Sequence, residues 1–102
     1  MNNFFEKQSA IAAIVTTYEP KIETLEDQFR RLQGQVELLL VVDNGSSNSS
    51  EVAEIVSQYP FAQFIGVPEN QGLGWAHNEG IRRVLAMGAG AVLLLDQDSL
   101  PR

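Results

Sequence analysis

The chain reads as an α/β fold built on a parallel sheet, and two observations carry that reading. Four short apolar runs, none longer than a buried strand, are separated by stretches whose apolar residues recur at helical spacing. Each run also ends in a polar or turn-forming cluster, so strand and helix alternate along the whole length.

The first run, Ala10 to Thr16 (AIAAIVT), is continuously apolar, as in strands covered on both faces. It ends at Tyr18-Glu19-Pro20. Ile22, Leu25, Phe29 and Leu32 then follow at spacings of 3, 4 and 3, and Gly34 stands just past the end of the helix they predict. Val36 to Val42 (VELLLVV) predicts a second buried strand, broken by Asp43-Asn44-Gly45. The serines from Ser46 to Ser50 have the composition of a linker, but Ser49 or Ser50 makes a good N-cap for a helix carrying Val52, Ile55, Val56 and Tyr59. Pro60 ends that helix. Phe61 to Val67 predicts a third strand, weakened by Gly66. Asn70 to Gly74 opens a third helix with Leu73, Ala76, Ile81, Val84 and Leu85 on one face, closed by Gly88. Ala91 to Leu95 predicts a fourth buried strand, ending at Asp96-Gln97-Asp98. Right-handed crossovers then give a Rossmann-like sheet of four mainly parallel strands alternating with three helices.

Bulk properties bound the function. The 102 residues suffice for one domain, and 44% hydrophobic with 20% charged residues is ordinary for a globular protein. A net charge of −6 with seven scattered basic residues argues against a nucleic-acid binder. No cysteine is present, which fits a reducing compartment. No run approaches the roughly 20 apolar residues of a membrane span, and the N-terminus lacks the features of a signal peptide. The expectation is a cytoplasmic protein, with peripheral attachment at the inner face of the membrane as a variant.

In open parallel sheets ligands bind beyond the carboxyl ends of the strands, where strand order reverses. There the sequence places Thr16-Thr17-Tyr18-Glu19, Asp43-Asn44-Gly45-Ser46, Asn70-Gln71-Gly72 and Asp96-Gln97-Asp98. Asp96 and Asp98 on one short loop can face a single hard cation, which bridges carboxylates to a diphosphate. Asp43 can accept a hydrogen bond from a pyrimidine imide, or can simply build an Asx-turn. His77 on a mostly apolar helix is more often a partly buried, hydrogen-bonded residue than a ligand. Trp75, beside Leu73 and Ala76, is more often packing than a stacking platform. The glycines at 72 and 74 do not make a dinucleotide fingerprint, which belongs after strand one and needs a third glycine.

Taken in order, Thr16-Thr17-Tyr18, Val41-Val42-Asp43-Asn44-Gly45-Ser46, Asn70-x-Gly72-x-x-x-Ala76-x-Asn78-x-Gly80 and Leu94-Leu95-Asp96-Gln97-Asp98-Ser99 resemble the family 2 glycosyltransferases. The Asp-Gln-Asp-Ser form is most similar to bacterial rhamnosyltransferases that use dTDP-rhamnose to build surface polysaccharides. The resemblance runs from about Ile11 to Ser99. It implies the nucleotide-binding half of a GT-A fold, truncated after its Asp-x-Asp motif. It also implies a nucleoside-diphosphate sugar donor of dTDP or UDP type, a glycan or lipid-linked glycan acceptor, and Mg²⁺ or Mn²⁺. By the same resemblance Thr17, Tyr18 and Glu19 cradle the nucleoside, Asp43 reads the base and Asp96 contacts the ribose. Asp98, with Asp96 beside it, holds the metal, and Gly72 with Asn78 shapes the pocket wall. His77 stands where family members often carry a basic residue. The family's catalytic base lies further along the chain, so none is named, and this chain alone is expected to bind donor without transferring sugar. The alternative function is a non-catalytic nucleotide-binding or scaffold domain of Rossmann-like fold. A bare apolar fourth strand is also expected to drive self-association at the truncated sheet edge.

Overall fold

The computed structural model describes residues 10–97. Its elements are β1 (Ile11–Thr17), α1 (Ile22–Leu32), β2 (Leu38–Asp43), α2 (Ser49–Ser57), β3 (Ala62–Gly66), α3 (Leu73–Ala86) and β4 (Ala91–Asp96). The four strands form one sheet in the order β3-β2-β1-β4, and every neighbouring pair is parallel. The strands run β1 to β3 in one direction across the sheet, and then the chain returns past β1 to place β4 on the other side. Because parallel crossovers are right-handed, that reversal sends α3 to the opposite face from α1 and α2.

The core is accordingly split by the sheet. On one face Ala13, Val15, Leu39 and Val41 meet Leu25, Phe29 and Leu32 of α1 and Val52, Ile55 and Val56 of α2. On the other face Ala12, Ile14, Leu38, Leu40 and Val42 meet Ala76 and Val84 of α3. Both central strands are therefore buried on both faces, which is why Ala12 to Val15 and Leu38 to Val42 are apolar at every step. Gly80 lets α3 approach β1: a Cβ built there would lie 2.7 Å from Ile14 Cγ2. Gly34 and Gly88, with φ of 86° and 96°, end α1 and α3 in the left-handed conformation that favours glycine.

Four expectations are corrected. Helix α2 begins at Ser49, with Asn48 in the cap position and no side-chain cap, so neither Ser49 nor Ser50 caps it. Asn48 instead donates its Nδ2 to the Pro20 carbonyl at 3.0 Å. On α3, Leu73 and Leu85 are exposed (55% and 56%), because the sheet-facing stripe is Ala76, Gly80 and Val84. Strand β2 starts two residues after Val36, which makes only an isolated bridge with Gln33. Finally, β4 is not buried: among the described residues it pairs with β1 alone, and Leu93 and Leu94 are 41% and 44% exposed.

Candidate functional site

The reversal of strand order falls between β1 and β4, and a cleft of about 290 Å³ opens at their carboxyl ends. It is lined by Thr16, Thr17 and Tyr18 from β1, Asn44 after β2, Leu73 at the start of α3, and Asp96 and Gln97 at the end of β4. A crevice at the switch point is the place where open α/β sheets bind ligands.

One hydrogen-bonded network builds the rim behind it. The Thr17 hydroxyl and the Ser46 hydroxyl each donate to Asp43 Oδ1 at 2.6 Å, and the Ser46 N–H donates to Oδ2 at 3.0 Å. Ser46 Oγ in turn accepts the Glu19 N–H at 2.8 Å. The Glu19 carboxylate accepts the Ser47 hydroxyl at 2.5 Å and the Ser47 N–H at 2.6 Å. These two bonds hold the Glu19 carboxyl below the usual carboxylate range, the hydroxyl contributing most. Glu19 itself takes a positive φ of 48°, a conformation such clamping contacts have to maintain. The serine run is thus no linker, since two of its hydroxyls fasten the loop after β1 to the loop after β2.

A second set of contacts ties in the loop before α3. Asn44 Oδ1 accepts the Gln71 N–H at 2.8 Å, and Asn70 Oδ1 accepts the Gly72 N–H at 2.7 Å. Gly45, with φ of 87°, passes so close to this loop that a Cβ would lie 2.7 Å from both Asn70 N and the Glu69 carbonyl carbon.

Of the residues singled out from sequence, Thr17, Tyr18 and Asp96 line the cleft together. Asp43 is fully buried behind Thr17, with its carboxylate turned into the rim network, so the turn-building role weighed for it is the one its contacts display. Glu19 faces Ser47 and not the cleft. Gly72 caps α3 next to Leu73, which is the residue of that helix on the wall. Asn78 is a correction: it is exposed and not part of the cleft. Five residues along a helix is a rotation of about 140° from Leu73, which carries Asn78 off the wall. Asp98 lies outside the described residues.

His77 is partly buried, but its Nε2 has no hydrogen-bond partner among the described residues, contrary to the satisfied histidine expected. Trp75 is 38% exposed, outside the core it was expected to join. Sequence reasoning also passed over Asn44, Gln97 and Gln28. Gln28 carried a signal, being a polar residue on the same stripe as Leu25, Phe29 and Leu32; it is fully buried and donates Nε2 to the Asp96 carbonyl at 2.8 Å.

The cation expected from sequence meets a partial donor set. Among the described residues no group of three or more acidic, histidine or cysteine side chains converges. Asp96, however, is exposed on the cleft, and its carboxylate has no partner among the described residues. One such carboxylate fits a Mg²⁺-type ion, which takes one or two carboxylates and fills its other positions with phosphate oxygens and water. A larger cleft of about 440 Å³ between α3 and β3 is bordered by Arg82 and Arg83, but both guanidinium groups are already paired with Glu79.

A sheet of this topology, with its cleft and polar rim at the switch point, defines an α/β protein of Rossmann-like topology with a ligand-sized crevice at its switch point. The glycosyl transferase family 2 model matches residues 12–102, and the chain belongs to that family. It is similar to the dTDP-rhamnosyl transferase RfbF of Shigella flexneri, with 31% identity over 91 residues, or 89% of this chain. The chain spans about 30% of the length of that relative. Among the described residues no helix is long and apolar enough to cross a membrane.

Proposed function

We propose that this chain binds the nucleotide-sugar donor of a glycosyltransferase that moves rhamnose from dTDP-rhamnose to a hydroxyl of a glycan in surface-polysaccharide synthesis. The observation that carries the reading is the cleft at the switch point, which Asp96, its carboxylate without a partner among the described residues, lines together with Thr17 and Tyr18. Family membership supports glycosyl transfer, and the similarity to a dTDP-rhamnosyl transferase supports the choice of donor.

In this reading Thr17 and Tyr18 form the floor and lip under the nucleoside, and Asp43, buried behind Thr17, fixes the rim on which a pyrimidine rests. Asp96 and Asp98 hold Mg²⁺ or Mn²⁺ against the diphosphate; bound there, the ion supplies Lewis-acid stabilisation of the leaving group. The acceptor is a glycan or lipid-linked glycan, and the apolar edge at β4 lets the isolated chain self-associate.

Calorimetric titration of dTDP, UDP and GDP, with and without Mn²⁺, tests the reading. Binding of dTDP that strengthens with Mn²⁺ is expected, and Asp96→Asn should remove most of that strengthening. A scaffold domain would bind none of the three nucleotides under either condition, and that result would replace the donor-site reading.

A further inference from the structure

The last register pair between β1 and β4 is Thr16 with Asp96, yet the pairing does not stop there. Beyond it the Tyr18 N–H donates to Gln97 Oε1 at 2.7 Å, and Gln97 Nε2 donates back to the Tyr18 carbonyl at 3.1 Å. A carboxamide carries the same donor and acceptor as a peptide group, so the Gln97 side chain extends the ladder by one unit. On the other side of the same corner, Gln28 Nε2 reaches from α1 to the Asp96 carbonyl at 2.8 Å. Two glutamine side chains thus hold the main chain around Asp96. The Asp96 carboxylate has no partner of its own among the described residues.

Strand ends at a sheet edge are where local opening is cheapest, and β4 has β1 as its one neighbour among the described residues. A carboxylate that must meet a diphosphate or its cation gains affinity when its position is fixed beforehand. Few side chains can do the fixing at position 97. Glutamate accepts from the Tyr18 N–H but repels the Tyr18 carbonyl, asparagine is one methylene short, and methionine fills the volume without either bond.

We infer that Gln97 is a positioning residue of the donor site: by bracketing the Tyr18 backbone it sets the separation between Tyr18 and the Asp96 carboxylate across the cleft. The inference rests on the donor-site reading and assigns a role inside it to the middle residue of Asp96-Gln97-Asp98. Gln97 lines the cleft, but both ends of its carboxamide bond the Tyr18 main chain, and the role assigned to it is to hold that main chain in place.

The test compares the parent chain with Q97M and Q97E by two measurements. Amide exchange at Tyr18, followed by NMR without ligand, reads the bracket. Titration with dTDP and Mn²⁺ reads its consequence. Q97M should retain the parent's circular dichroism, lose protection at the Tyr18 amide, and bind dTDP about 10-fold more weakly, the scale set by loss of a group that orients a ligating side chain. Q97E keeps one of the two bonds and should fall between Q97M and the parent in Tyr18 exchange. Unchanged Tyr18 exchange in Q97M would overturn the inference, and so would parent-like dTDP affinity with the amide deprotected, since the contact would then be packing alone. A parent chain that binds no nucleotide sinks the donor reading and this inference with it, and normal Tyr18 protection in that chain would locate the failure in the reading rather than in the bracket.

Discussion

Thr17 and Asp43, the last residues of β1 and β2, are register partners in the sheet and are joined again by a 2.6 Å hydrogen bond from the Thr17 hydroxyl to the Asp43 carboxylate. Both are buried, and the same carboxylate holds two donors from Ser46. Removing it strands buried donors, each of which costs roughly 1–3 kcal/mol when left unmade. Asp43→Ala should therefore lower the urea midpoint as well as nucleotide affinity. Asp43→Asn keeps the shape and gives up acceptor capacity; we expect it to stay folded and to bind dTDP about tenfold more weakly, near 1.4 kcal/mol. Equal dTDP affinity in Asp43→Asn and the parent would leave Asp43 with a purely structural role.

Gly45 and Gly72 both take a positive φ, 87° and 89°, and Gly72 combines it with a ψ of 150° that other residues rarely adopt. A Cβ at position 72 meets nothing within 4 Å, whereas one at position 45 meets main-chain atoms of Glu69 and Asn70 at 2.7 Å. Both alanine variants are strained by their positive φ, and the clash is an added cost at position 45 alone. Gly45→Ala should lose roughly 1–3 kcal/mol to this clash, the usual cost of overpacking, in addition to its backbone strain. It should also weaken dTDP binding, since the displaced loop carries the Gln71 contact to Asn44. A Gly45→Ala variant with the parent's midpoint in chemical denaturation would refute the argument.

The parallel sheet was legible because burial on both faces leaves a continuous signature: β1 and β2 are apolar residue after residue and stop at Thr17 and Asp43. Gly34 and Gly88 were legible because the left-handed end of a helix excludes most other residues. What failed did so for reasons outside local sequence. The composition of β4 states what would be buried, but exposure depends on whether a neighbour is supplied, and Leu93 and Leu94 have too little over them. Asn78 was placed by its distance along a motif, while helical phase turned it off the cleft wall. The serines were weighed as linker or cap because their partners, Asp43 and Glu19, become neighbours only when β1 and β2 pair.

Glu19 provides a pH-dependent handle on the rim. Its folded-state pKa is depressed by the Ser47 hydroxyl and N–H. A depressed carboxyl contributes stability that is present above its unfolded pKa, about 4.3, and lost as pH falls through the lower folded value. The Ser47 amide resonance should accordingly move with an acid transition below the usual glutamate range. Glu19→Gln should abolish that transition, and its stability deficit relative to the parent should shrink as the solution is acidified. A deficit that stays constant from neutral pH to about pH 3 would show that the contact contributes nothing through charge.

The edge at β4 leads to the last expectation. Leu93 and Leu94 lie on opposite faces of this strand and are 41% and 44% exposed, while Leu85 on the neighbouring helix is 56% exposed. The strand's outer edge pairs with no described strand, leaving main-chain N–H and C=O groups available beside apolar surface. Such an edge is a template for another chain, and contiguous apolar exposure adds a driving force for association. The isolated chain should therefore associate as its concentration rises, in light scattering and in sedimentation velocity. Leu94→Lys places a charge on the edge at a position already half in solvent, so it should leave the unfolding midpoint within about 0.5 kcal/mol of the parent, as surface changes usually do. It should nevertheless weaken association by tenfold or more, about 1.4 kcal/mol. A parent chain that remains monomeric at millimolar concentration, or a Leu94→Lys variant that associates as the parent does, would remove β4 as the contact surface.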